Sequence, residues 1–337
     1  MSRLFGVVTM VISATGVARA DTVADFFRGK TVNIVVGHEV GTGFDIYSRV
    51  LVRHMGKYIP GNPGMLVQNM TGASGVVAGN WLYSVAPRDG TVIGAFAQTV
   101  PLEPLFGNQQ ARYDAARFLW IGNMESGLSV CGVTRASGVN SFTELQQRET
   151  LVGATAPTGP LAKSALAVKN VLGANLKVIP GYKGSADVKL AMSRAEVGGI
   201  CGLPWSTVKS FWSQELASGD FRPLIQLSGD KSPELPNIPH YTDFIKTSED
   251  KQLFGLLFGV QALGRVYASP PDTPGDRVAA LRKAFMETMI DKEFLADAEK
   301  TGIDISPMAG EPVAKMWAEF ASASSSIVAR AQAVTSP

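Results

Sequence analysis

Apolar positions along the chain change period in a recurring way. Thr31 to Val36 (TVNIVV) is a short run rich in β-branched residues and bounded by Gly37, the pattern of a buried strand in a parallel sheet. A glycine-punctuated turn follows, and from Phe44 the spacing becomes helical, with Tyr47, Val50, Leu51 and Met55 on one face. Met65 to Asn69 and Thr91 to Ala97 read as two more strands, separated by the turn Thr71 to Gly75 and a helix reaching about Val85. The first hundred residues therefore predict β-α-β-α-β, and right-handed crossovers make that a parallel sheet.

The pattern restarts at Phe118 with LWIGN and SVCGVT, a short helix at Ser141 to Gln147, and a second strand-turn-helix unit. In that unit Leu151 to Ala156 is the strand, Pro157, Thr158 and Gly159 turn the chain, and Leu161, Ala165, Val168 and Leu172 mark the helix face. Leu176 to Ile179, Val197 to Leu203, Phe221 to Ser228 and Val266 to Ser269 read as further strands. Helices are predicted to Glu196, to about Gly219, along the stripe Val278, Leu281, Phe285 and Met289, after Asp291, and from Glu311.

The turns carry the candidate chemistry. The first amide hydrogens of a helix have no internal partner, and the peptide dipoles leave roughly half a positive charge there. Gly41 and Gly43 keep no Cβ between those groups and an anion. Thr158 and Gly159 stand at a second such start, and Gln98 and Thr99 lie at the carboxyl end of the third strand, the edge where open α/β sheets place ligands. Asp45 is either a first-turn acid that favours the helix or a contact to a ligand amine or hydroxyl. Lys183 either pairs with a carboxylate or is solvated, and Trp205 either floors a pocket or packs in a core.

At 337 residues, with 45% apolar and 18% charged residues, the chain is long enough for two globular domains. Arg3, the apolar stretch Leu4 to Ile12 and the small-x-small site Ala18-Arg19-Ala20 predict a secretory signal removed before Asp21. Its removal takes away two arginines and no acid, which leaves 29 basic against 29 acidic residues. Such a balance argues against nucleic acid or a general attraction to anionic membranes. An exported chain with two cysteines predicts a Cys131–Cys201 disulfide, the other reading being two buried thiols.

Enzyme signatures fail in detail. Gly41-Thr42-Gly43 begins a dinucleotide fingerprint, but its third glycine position is Ile46. Gly72-Ala73-Ser74-Gly75-Val76 misses the nucleophile-elbow pattern at its last residue. His38, His54 and His240 lack metal-ligand spacing.

The glycine loop GHEVGTGFD at 37, QNMTGASG at 68, APRDGTVIG at 86, GYKGS at 181, SRAEVGG at 193, SPELPNIP at 232 and ASPPDTP at 268 occur in an order that resembles the extracytoplasmic solute-binding receptors of tripartite tricarboxylate transporters, the Bug-type family. The resemblance implies a type II periplasmic-binding-protein-like α/β fold with two lobes, each a mostly parallel sheet flanked by helices, joined by a two-segment hinge. Lobe I would comprise residues 21–120 and 225–337 and hold both chain ends, lobe II residues 121–224, with hinges near Phe118 to Asn123 and Asp220 to Leu224. Ligand-facing positions would be Gly41, Thr42, Gly43, Asp45, Ser74 and Gly75 on one side, and Thr158, Gly159 and Tyr182 to Ser185, including Lys183, on the other. It further implies a soluble periplasmic monomer that needs no cofactor, captures a small organic acid and delivers it to a membrane permease. The first loop carries Gly37, His38 and Glu39 where such receptors usually have proline and aromatic residues, and Glu39 would either repel a carboxylate or hold an ammonium group. The competing classes are an exported α/β hydrolase or cofactor enzyme, and a ligand-binding sensor.

Overall fold

The computed structural model describes residues 22–155, 157 and 159–336. The expected signal segment and Thr158 lie outside the described residues. Among the described residues eleven strands form two sheets. The first contains β1 (Thr31–Val36), β2 (Gly64–Asn69), β3 (Val92–Phe96), β4 (Leu119–Asn123), β10 (Val266–Ser269) and β11 (Met308–Ala309), in the order β11-β4-β10-β3-β1-β2. The second contains β5 (Ser129–Thr134), β6 (Thr150–Gly153), β7 (Leu176–Ile179), β8 (Gly199–Pro204) and β9 (Phe221–Leu227), in the order β7-β6-β8-β5-β9. From the pairings, β1 to β4 run one way with β10 and β11 reversed, and β6 to β9 run one way with β5 reversed.

Period-two alternation in β1 decides what each face covers. Val32, Ile34 and Val36 join Tyr47, Val50, Leu51 and Met55 of the helix Gly43–Met55 and Leu281 and Phe285 of the helix Gly275–Met289. Val35 faces the other way, into a core with Val76, Leu82 and Trp317. The second sheet buries Ile200 and Leu203 against Leu161, Val188 and Val208. Cys131 of β5 and Cys201 of β8 are joined by a disulfide on its other face.

The register fixes how the sheets face. β4 ends at the same edge as β1, β2 and β3, and β5 begins at Ser129, opposite Pro204 at the carboxyl end of β8. The passage Met124 to Leu128 therefore joins the carboxyl edge of one sheet to the carboxyl edge of the other. β9 ends beside Ser129 as well, with Leu227 opposite it, and β10 starts with Val266 opposite Phe96 and Asn123. The connections from β4 to β5 and from β9 to β10 both leave and arrive at a carboxyl edge.

Three expectations shift. β4 completes its ladder before the chain leaves the first sheet, so the first passage falls at Met124 to Leu128, just after Phe118 to Asn123. After β9 the chain stays against the second sheet, with Gln226 bridged to His240 and Phe244 against Phe142, and it returns only on the way to Val266, well beyond Asp220 to Leu224. The helix Ser248–Phe258, unread in the sequence, is capped by the Thr247 side chain and buries Leu253, Phe254 and Phe258. The last helix, Ser325–Thr335, leans on the helix Pro160–Leu172 of the second lobe, where Asn170 donates to the Val334 carbonyl at 2.8 Å.

Candidate functional site

Loops following β1, β2 and β3 touch one another at the carboxyl edge. A Cβ on Gly37 would lie 3.1 Å from the Gly75 Cα, and one on Gly75 would lie 2.9 Å from the Val100 side chain. Gly75 also has φ +100°, a conformation that strains any L side chain. It caps the helix Val76–Ser84, and Ser74 precedes it in a single tight turn. Gln98 is half-buried and Thr99 exposed, and neither side chain bonds another described residue.

Within the first loop, Asp45 serves the protein itself. It is buried; Oδ2 accepts from the Gly41 N–H and from Arg49 Nε, each at 2.9 Å, and Oδ1 accepts from Asn69 Nδ2 at 2.9 Å. Burial alone would raise its pKa, but the hydrogen bonds from Arg49, Gly41 and Asn69 outweigh it and hold the carboxyl below its ordinary value. Thr42 turns inward too, its N–H and hydroxyl both donating to the Glu39 carbonyl. The Gly41 amide is thus spent on the loop, and the amides with no partner among the described residues are those of Gly43, Phe44 and Asp45 at the helix start.

Across the crossing, two turns lie together. The amides of Gly181 and Tyr182 donate to the carbonyls of Thr155 and Ala154, at 3.0 and 3.3 Å, which places the turn after β7 beside the one after β6. Gly159 caps the helix Pro160–Leu172 with no side-chain bond. Tyr182 is half-buried, its ring edge 3.3 Å from where a Cβ on Gly153 would sit. Lys183 is exposed and its backbone N–H donates to Asp187 at 3.1 Å; Ser185 opens the helix Ser185–Ser193. Trp205 belongs to the core of this lobe, 7% exposed, with its indole N–H donating to Glu234 at 3.1 Å. It borders a hollow of about 360 Å³ that reaches Gly219 and Phe221 at the amino end of β9, away from the carboxyl edges.

Sequence reasoning missed Arg265 and Glu125. Arg265 leads into β10, and its guanidinium lies 4.4 Å from the Phe44 ring centroid and 4.8 Å from that of Tyr47, contacts worth about 0.5–2 kcal/mol each. Its Nη2 is 2.9 Å from where a Cβ on Gly43 would sit and 3.4 Å from Glu125 Oε2 in the Met124 to Leu128 passage. Asn123 ties the two segments, accepting from the Arg265 N–H at 2.8 Å and donating to the Glu125 carbonyl at 2.7 Å. His38 stacks on Phe44 at 4.2 Å, and burial followed by the charge of Arg265 lowers its pKa. The available signal was a lone charge within two residues of a buried strand end, in GRVYAS and in LWIGNMES.

No protein-family model and no curated sequence matches the chain. Among solved structures it is similar to a TctC solute-binding protein from Polaromonas, at TM-score 0.71 and 17% identity over 90% of this chain and 97% of that one. The fold is that of a periplasmic solute-binding protein. The same solute-binding fold is shared with the periplasmic binding protein BugD, at TM-score 0.58 and 19% identity over 90% and 97%. It is shared also with MatC from Rhodopseudomonas palustris with bound malate, at TM-score 0.58 and 16% identity over 91% and 99%. Among the described residues no helix is long and apolar enough to cross a membrane.

Proposed function

We propose that the chain is an exported receptor that captures a small carboxylate between its two lobes and delivers it to the permease of a tripartite tricarboxylate-type transporter. One observation carries this reading: the short passage Met124 to Leu128 joins carboxyl edge to carboxyl edge, so the glycine turns of both lobes border one gap. Helix starts at Gly43, Pro160 and Ser185, none with a side-chain cap, line that gap and suit negative oxygens. Gly41 to Gly43, Ser74, Gly75, Gln98 and Thr99 belong to one wall, Gly159 and Tyr182 to Ser185 to the other. The malate bound to MatC is of the same chemical class. Closing the lobes on the ligand by hinge bending strengthens each contact by excluding water, and no covalent step is needed.

Thermal shift with mono-, di- and tricarboxylates, amino acids and aromatic acids tests the reading. A receptor gains stability as RT ln(1 + [L]/Kd), and the ligand is recovered unaltered. A melting temperature unmoved by the whole panel rejects it.

A further inference from the structure

Arg265 and Glu125 meet beside the first helix start, and the hydrogen bonding of neither is complete. Arg265 Nη1 donates to the Gly264 carbonyl at 2.8 Å. Its Nη2 stands at ion-pair distance from Glu125 without hydrogen-bond geometry, and its Nε is buried with no partner among the described residues. Glu125 is only 7% exposed, and its Oε2 is likewise without a hydrogen-bond partner. Buried guanidinium hydrogens and carboxylate oxygens are ordinarily satisfied. The Nη2 of this guanidinium stands between Glu125 and Gly43, whose amide, with those of Phe44 and Asp45, has no partner among the described residues. The guanidinium is held in place by the rings of Phe44 and Tyr47 against its faces.

We propose that Arg265 is the charged anchor of the ligand's carboxylate, and that Glu125 selects ligands carrying a hydrogen-bond donor, a hydroxyl or an ammonium, next to that carboxylate. The inference rests on the reading that the gap takes a small carboxylate. One carboxylate oxygen meets the helix-start amides while the other meets the guanidinium edge, a charge-assisted arrangement. A donor on the neighbouring carbon then meets Glu125 Oε2. An acid lacking the donor leaves that oxygen buried and unpaired, so the site discriminates by more than the missing contact. Glycine at 43 belongs to the device, because a Cβ there would press on Nη2 at 2.9 Å and displace the fork.

Succinate, malate and aspartate differ only in a hydrogen, a hydroxyl or an ammonium on one carbon, and calorimetric titration of the mature protein with each tests the proposal. Malate or aspartate is expected to bind at least tenfold more tightly than succinate, and Glu125→Gln to narrow that gap to within threefold. Arg265→Lys, which keeps the charge and loses the planar fork, is expected to weaken all three by at least tenfold, and Gly43→Ala to do the same with its melting temperature within a few degrees of wild type. Equal binding of the three acids, or Arg265→Lys binding within threefold of wild type, overturns the inference and leaves the receptor reading standing. No response of the wild type to the wider carboxylate panel ends both.

Discussion

Lys209 Nζ lies 3.3 Å from Asp304 Oδ2, and the two residues belong to opposite lobes. Lys209 rides on the helix Trp205–Phe211 that follows β8, and Asp304 precedes β11. The Asp304 backbone is fixed by the Tyr47 hydroxyl, which donates to its carbonyl and accepts from its N–H, each at 3.1 Å. Both charged groups are more than a third exposed, so solvent limits the pair to about 1 kcal/mol at most. Asp304→Asn is therefore expected to cost no more than about 1 kcal/mol at low ionic strength and nothing measurable near 1 M salt, where the Debye length falls to roughly 3 Å. Denaturant unfolding at the two salt levels checks this; a larger, salt-independent loss contradicts it.

Asp45 makes the opposite case, a charge buried under three donors. Asp45→Asn would aim an amide at donors already in place, and the expected cost is about 2–4 kcal/mol. Its folded pKa is depressed, so its contribution is complete above the unfolded value of 3.8 and disappears as pH falls through the folded one. Unfolding curves of wild type and variant are expected to converge in acid. A constant gap between them down to the lowest pH at which both still fold would refute the assignment.

Asp45 marks where reading the sequence succeeds, and Arg265 with Glu125 where it stops. Asp45 was visible as a first-turn acid because its position is local, three residues into a helix announced by a change of period at Phe44. That its carboxylate folds back on the Gly41 amide was not visible, since loop geometry decides it. Arg265 and Glu125 are 140 residues apart in the chain and meet only because β4 and β10 are neighbours in the sheet. Strand order of that kind leaves no local trace. The helix Ser248–Phe258 escaped for a milder reason: its apolar residues Leu253, Phe254, Leu256 and Phe258 crowd into its last half and leave little periodicity to read.

The Cys131–Cys201 link spans 70 positions of chain. In the chain-entropy account a loop of that size contributes about 4 kcal/mol by restricting the unfolded state. Replacing both cysteines by alanine is expected to lower stability by about 2–5 kcal/mol, with ligand affinity within threefold, because the bond lies inside the second sheet and crosses neither passage. Titration of free thiols in the denatured, unreduced protein gives an independent check: two reactive thiols would refute the bond in solution.

Two histidines give the protein an acid-side sensitivity of definite sign. Burial, followed by the charge of Arg265, lowers the pKa of His38; burial also lowers that of His240, against a bond to the Ser228 carbonyl that raises it. A base whose folded pKa lies below its unfolded value binds fewer protons when folded, so stability rises with pH between the two values and is lost as pH falls below about 6.5. His38→Gln and His240→Gln are each expected to remove part of that slope, by at most about 1.4 kcal/mol per pH unit for one proton. His240→Gln also loses stability at every pH, because His240 caps the turn Tyr241–Phe244 through Thr242 and is buried. Unfolding free energies from pH 8 to pH 5 separate the two effects: the His38 variant changes the slope, the His240 variant changes slope and offset, and an unchanged slope in both variants would assign the acid loss to the carboxylates.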